Sequence, residues 1–139
     1  MKKLILISLL IGALPLSMVA QDDDLYFVPK KKASVEKVND RHNAVINRVD
    51  DRFTSLLGDV SILKEIDGTF DLVMANINRN ILLADMPAMK AKMAPGARLI
   101  LSGFYTNDIP MLTDKARSLG LTLITQQEDN NWACLVFQN

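Results

Sequence analysis

The chain has 139 residues, 49% hydrophobic and 23% charged, a globular composition with room for one ordinary domain. Its 16 basic residues balance 16 acidic ones, so no bulk charge draws it to nucleic acid or to an anionic membrane surface. Cys134 and His42 are each alone, which excludes an intrachain disulfide and leaves no zinc site of Cys and His ligands and no obvious Cys–His dyad.

Met1-Lys2-Lys3 gives a positive start, Leu4 to Val19 an apolar stretch, and Ala20 a small residue before Gln21, the layout of a secretory signal over residues 1–20. Met18 stands where such a signal would carry a smaller residue. A membrane anchor is the other use of such a stretch, but this one is short for a span and carries Ser8, Gly12, Pro15 and Ser17. The segment therefore predicts export, with no stable membrane span. Residues 21–33 join an acidic triplet, four apolar residues, a proline and a basic triplet without any period, and read as a linker or N-terminal arm. The lysines of that arm read as solvated surface.

From Ser34, which can cap a helix, Val35, Val38, Val45 and Ile46 fall near one face. Asn47 to Arg52 breaks the pattern, Phe53 to Leu57 is a predicted strand, and Gly58-Asp59 ends it. Val60 to Lys64 is a short turn or helical piece, and Asp67-Gly68 is a turn signal. Phe70 to Ala75 is then a continuous apolar run, the pattern of a strand buried on both faces of a parallel sheet. It stops at Asn76-Ile77-Asn78-Arg79-Asn80. Asn78 to Lys92 is a predicted helix on the stripe Ile81, Leu82, Met86, Met89 and Met93, with Pro87 as a break or kink. A buried strand ending in amides and turning into a helix sets polar groups at the carboxyl edge of a sheet, where open α/β sheets bind ligands.

Ala94-Pro95-Gly96 is a predicted turn, Arg98 to Ser102 a second apolar strand ended by Gly103, and Ile109 to Leu119 a helix. That helix is capped from Thr106-Asn107-Asp108, has Pro110 in its first turn, and takes Gly120 as its C-terminal glycine. Leu121 to Thr125 and Trp132 to Phe137 flank Glu128-Asp129-Asn130-Asn131 as a hairpin, with Cys134 a buried strand residue. Helices alternating with short apolar strands give an α/β fold with a mainly parallel sheet and a C-terminal antiparallel hairpin. The residues alone leave two uses open for Asn76 and Asn80: closing the strand–helix turn through backbone bonds, or facing a ligand. Asp59 likewise either caps the piece at Val60 or faces a ligand. Asp71, at the head of its strand, takes no catalytic role, and Arg79 is a surface or substrate contact.

Strand–Asn-Ile-x-x-Asn–helix, followed by Pro95-Gly96-Ala97-Arg98-Leu99-Ile100-Leu101-Ser102-Gly103, resembles the second half of the ribosomal protein L-eleven methyltransferases of the PrmA type. The resemblance covers residues 34–139 and implies part of a Rossmann-like methyltransferase fold using S-adenosylmethionine on amino groups of a ribosomal protein. It further implies that Asn76 contacts the cofactor near the reacting centre, that Asn80 is the motif's second amide, and that Asp59 approaches the adenine. The chemistry suits an amide: methyl transfer to an amine needs mainly an aligned neutral amine, and an amide oxygen can hold its hydrogens.

Two features of that family's pattern are not found in this sequence. No two of Gly12, Gly58, Gly68, Gly96, Gly103 and Gly120 are close enough for a G-x-G loop, and Pro29 to Ala33 stands where an acid should hold the ribose. The family's substrate-recruiting domain has no counterpart either. These departures predict a partial sheet lacking its first strands, self-association through exposed strand edges, weak or lost cofactor binding, and no activity alone. The family implies the cytoplasm where residues 1–20 imply export. The competing expectation is a small exported α/β binding protein without catalysis.

Overall fold

A computed structural model describes residues 3–8, 24–29, 42–56 and 59–139. They build one seven-stranded sheet in the order β3-β2-β1-β4-β5-β7-β6. The strands are β1 (Lys3–Ser8), β2 (Asp24–Pro29), β3 (Phe53–Ser55), β4 (Phe70–Asn76), β5 (Met93–Tyr105), β6 (Thr122–Asp129) and β7 (Trp132–Gln138). β1 to β5 are mutually parallel, and β7 runs antiparallel between β5 and β6.

This corrects the expectation of a sheet without its first strands. Lys3–Ser8, read above as part of a leader, is an interior strand, with Leu4 opposite Leu25 of β2 on one side and Leu72 of β4 on the other. Asp24–Pro29, read as a linker, lies between β1 and β3. The confusion has a physical cause: a parallel strand with a neighbour on either side is a run of apolar residues, and so is the core of a signal peptide. Charged residues on both sides of Leu25-Tyr26-Phe27-Val28 hid β2 in the same way.

Downstream, the elements follow local chemistry. Helix α1 is described over residues 42–46 and ends at Arg48, in the left-handed region at φ 58°, where the Val49 amide reaches the Ala44 carbonyl at 3.0 Å. Its expected cap at Ser34 lies outside the described residues. A 3-10 turn spans Val60–Glu65. Helix α2 (Arg79–Ala91) contains Pro87 and is capped by Asn78, whose side chain accepts from the Ile81 amide at 3.2 Å. The predicted turn at Gly96 is a shift inside β5, between the pairs Phe70–Met93 and Leu72–Arg98. Helix α3 (Ile109–Ser118) is closed by Gly120 at φ +80°. Asn130 and Asn131, both left-handed at φ 48° and 67°, make the tight hairpin turn whose twist matches the flanking strands.

α2 and α3 cover one face of the C-terminal strands. Leu82, Met86, Met89, Leu112 and Ala116 share a buried cluster with Val73, Ala75, Leu99, Leu101, Leu135 and Phe137. Each large side chain so buried contributes about 1.5–3 kcal/mol relative to exposure. The alternate residues Leu72, Met74, Ile100, Cys134 and Val136, on the other face, are only half-buried. No helix among the described residues is long and apolar enough to cross a membrane.

Candidate functional site at the carboxyl edge

The chain leaves β1 toward β2 and β3, then returns to place β4 on the other side of β1. The junction of β1 and β4 is therefore the switch point of the sheet, outside whose carboxyl end ligands of such folds bind. Asn76, the last residue of β4, is in register with Ser8 of β1 and Ser102 of β5. The strand predicted to end in amides does so at this junction.

The half-buried Asn76 side chain is seated on Gly103. That glycine, at φ +87°, lies where β5 shifts register against β7. A Cβ there would stand 2.7 Å from Asn76 Oδ1 and 2.9 Å from the Ile77 nitrogen, so only glycine lets the two turns approach. The Ile77 amide donates to the Ser102 carbonyl at 3.1 Å and ties the same two turns together. Sequence reasoning saw Gly103 only as the end of a strand. A Ser-Gly pair ending one strand beside an amide ending its neighbour was the available signal.

The other amides separate in role. Asn78, not Asn80, caps α2. Asn80 is exposed and accepts from Arg79 Nε at 3.1 Å. The Arg79 guanidinium also donates to Asp108 Oδ1 at 2.8 Å, across the gap between the β4–α2 and β5–α3 turns. A cation in the first turn of a helix opposes the helix dipole, and Asp108 offsets that cost here. The second oxygen of Asp108 accepts from the Tyr105 amide at 3.3 Å, fixing the β5–α3 turn as well.

Asp59 follows β3, three interstrand steps or about 14 Å along the edge from β4. It is exposed, and its Oδ1 accepts from the Ser61 amide at 2.8 Å, capping the 3-10 turn. The fold thus sets Asp59 and Asn76 on one edge without bringing them together; Gly58 lies outside the described residues. For S-adenosylmethionine, the donor–acceptor end of the edge fits: a glycine cradle under an oriented amide. The ribose end does not, because β2 finishes at Val28-Pro29 with no acid, and Gly12 is the sole glycine between β1 and β2. Burial pushes the Cys134 thiol up from its usual value, as expected of packing rather than nucleophilic use. No cluster of metal-ligating side chains occurs among the described residues.

Comparison with known proteins agrees with this fold. Residues 31–139 match the model of the family described as Ribosomal protein L11 methyltransferase (PrmA). The ribosomal protein L11 methyltransferase of Porphyromonas gingivalis is 50% identical over 99 residues, covering 71% of this chain and 33% of that protein. That of Phocaeicola vulgatus is 46% identical over 99 residues, covering 71% of this chain and 34% of its own. The chain thus spans about a third of the length of these relatives. Among solved structures, a ribosomal protein L11 methylase from Lactobacillus delbrueckii subsp. bulgaricus superposes with a TM-score of 0.67 at 22% identity, over 82% of this chain and 57% of that one. The O-methyltransferase TomG from Streptomyces achromogenes, in complex with SAM, gives 0.70 at 14% identity over 98% and 73%. At such identities these two likenesses speak for the fold alone.

Proposed function

The chain belongs to the ribosomal protein L11 methyltransferase family, and on that premise we propose that it is a methyltransferase domain that keeps the acceptor side of the site, binds S-adenosylmethionine weakly, and methylates no ribosomal protein by itself. The observation that carries this reading is Asn76 seated on Gly103 at the switch point of the sheet. The Asn76 amide oxygen accepts the hydrogens of the target amine and leaves its lone pair directed along the edge, toward the donor. Asp59 serves the far, adenine end. Support for weak binding comes from the ribose end, where no acid follows β2, and from the missing G-x-G loop.

Calorimetry of S-adenosylmethionine with the full chain, alongside Asn76→Ala, tests this. The expected result is saturable heat at high micromolar to millimolar ligand that the variant loses. Absence of heat from a demonstrably folded chain overturns cofactor binding, and nanomolar affinity overturns the weakness. The same reading has residues 1–20 retained, with β1 in place and the protein in the compartment of its synthesis. Self-association through β6, an outer strand with every side chain exposed, belongs to it too and is checked by light scattering. One observation favours the exported binding protein: the signal-like run of residues 1–20. N-terminal sequencing of the protein from its host separates the two, since a mature start at Gln21 supports export.

A further inference from the structure

Tyr105, Trp132 and Asp129 stand in one row across three strands: Tyr105 of β5 is paired with Trp132 of β7, and Trp132 with Asp129 of β6. Laterally paired residues project from the same face of a sheet. Their neighbours Phe104 and Ala133 are buried, in the cluster beneath α2 and α3, so the row stands on the opposite face. There the rings stack with centroids 4.5 Å apart at 33°, yet Tyr105 is 54% and Trp132 49% exposed. An exposed stacked pair forgoes the burial that normally rewards aromatic side chains, which marks it as a contact surface.

The charge beside it is acidic. Asp129 accepts from Asn130 Nδ2 at 3.0 Å and meets no cation among the described residues. Asp108, on the other side of Tyr105, is already neutralised by Arg79. A half-exposed indole, the best aromatic partner for a cation, flanked by a carboxylate with no counter-ion among the described residues, fits a lysine or arginine side chain. It repels the phosphates of a nucleic acid or an anionic membrane.

We propose that the Tyr105–Trp132–Asp129 row is a docking surface for a basic segment of a protein partner. This rests on the reading that the chain keeps the acceptor side of the site, and it adds where a protein partner touches. Because the row lies at the same edge as Asn76, a segment held there by one cationic side chain would lie along the carboxyl edge toward the amide.

Trp132 is the chain's single tryptophan, so intrinsic fluorescence reports on this surface directly. The full chain is titrated with an acetylated, amidated hexalysine peptide and, separately, with a hexaglutamate peptide. We expect a saturable change with the lysine peptide alone, weakened by added salt. Asp129→Asn should raise the half-saturation point about two- to fivefold, and so should Tyr105→Ser, the range expected for exposed ion-pair and cation–π contacts. Equal response to both peptides, no saturation by a chain of native circular dichroism, or an unchanged half-saturation point in Asp129→Asn overturns the proposal. Cofactor calorimetry on the same preparation keeps the two readings apart: heat without peptide binding rejects only the docking surface, and the reverse rejects only the cofactor site.

Discussion

The two halves of the sheet are made in different ways. From β4 onward, strands and helices alternate in short steps, caps and turns are chemically explicit, and residues 31–139 match one family throughout. The β3-β2-β1 half takes two of its three strands from residues before that matched stretch, which the sequence marks as leader and arm. Yet both halves join in one register, with Ser8 opposite Asn76. Pairing of backbone needs only extended chain of the right polarity, so a sheet position can be filled by sequence without the chemistry that usually goes with it. Strand position and sequence motif therefore part company at β1 and β2. The strands are there, while the glycine loop and the ribose-holding acid are not.

The strongest way to break this comparison is to remove residues 1–20. That deletion takes out β1 and separates β3-β2 from β4-β5-β7-β6. We expect loss of cooperative unfolding by circular dichroism; a shortened chain that melts like the full one would show that β1 is dispensable. Within the C-terminal half, Leu101→Ala empties a fully buried position beneath the helices. It should cost about 2–5 kcal/mol in urea denaturation. A loss below 1 kcal/mol would mean that this half is looser than its packing indicates.

Gly103→Ala sharpens the comparison at the site. The added methyl meets Asn76 Oδ1 and the Ile77 backbone from a left-handed residue, so about 1–3 kcal/mol of stability should go. The Asn76 side-chain amide resonances should move in nitrogen–proton spectra; unshifted resonances would mean that the two turns are not coupled. The smallest effect concerns Cys134. Burial disfavours its thiolate, so alkylation by iodoacetamide at pH 8 should lag a free thiol and accelerate only above the usual thiol range. The sign for stability follows: a raised folded value contributes stability that is full below the unfolded pKa and is lost as pH rises through the folded one. Alkylation as fast as free cysteine would place Cys134 outside the packed sheet.

What the sequence disclosed tracks how local the determinants are. β4, α2, α3 and the hairpin were legible because apolar period, caps and turn residues lie within each segment, and Asn76 because it ends a run that can only be a buried strand. The identity of the capping amide was not legible: Asn76, Asn78 and Asn80 are equivalent as text, and only the helix start makes Asn78 the acceptor for Ile81. Nor was the Arg79–Asp108 bond, whose partners are brought together by two adjacent strand ends. The length of β5 was underestimated because Pro95-Gly96 reads as a stop. The chain instead absorbs it as a register shift, with Gly96 bonded to the Asn139 carbonyl at 3.0 Å. β1 escaped because its signal is identical to that of another object.

That interior strand has a consequence in time. β1 leaves the ribosome before the other described strands, but it gains a neighbour on its β4 side only after residue 76 has followed. At ordinary rates of synthesis that interval is on the order of seconds. Throughout it, β1 has at most one paired edge. How long β1 stays half-paired is decided by how soon β4 arrives.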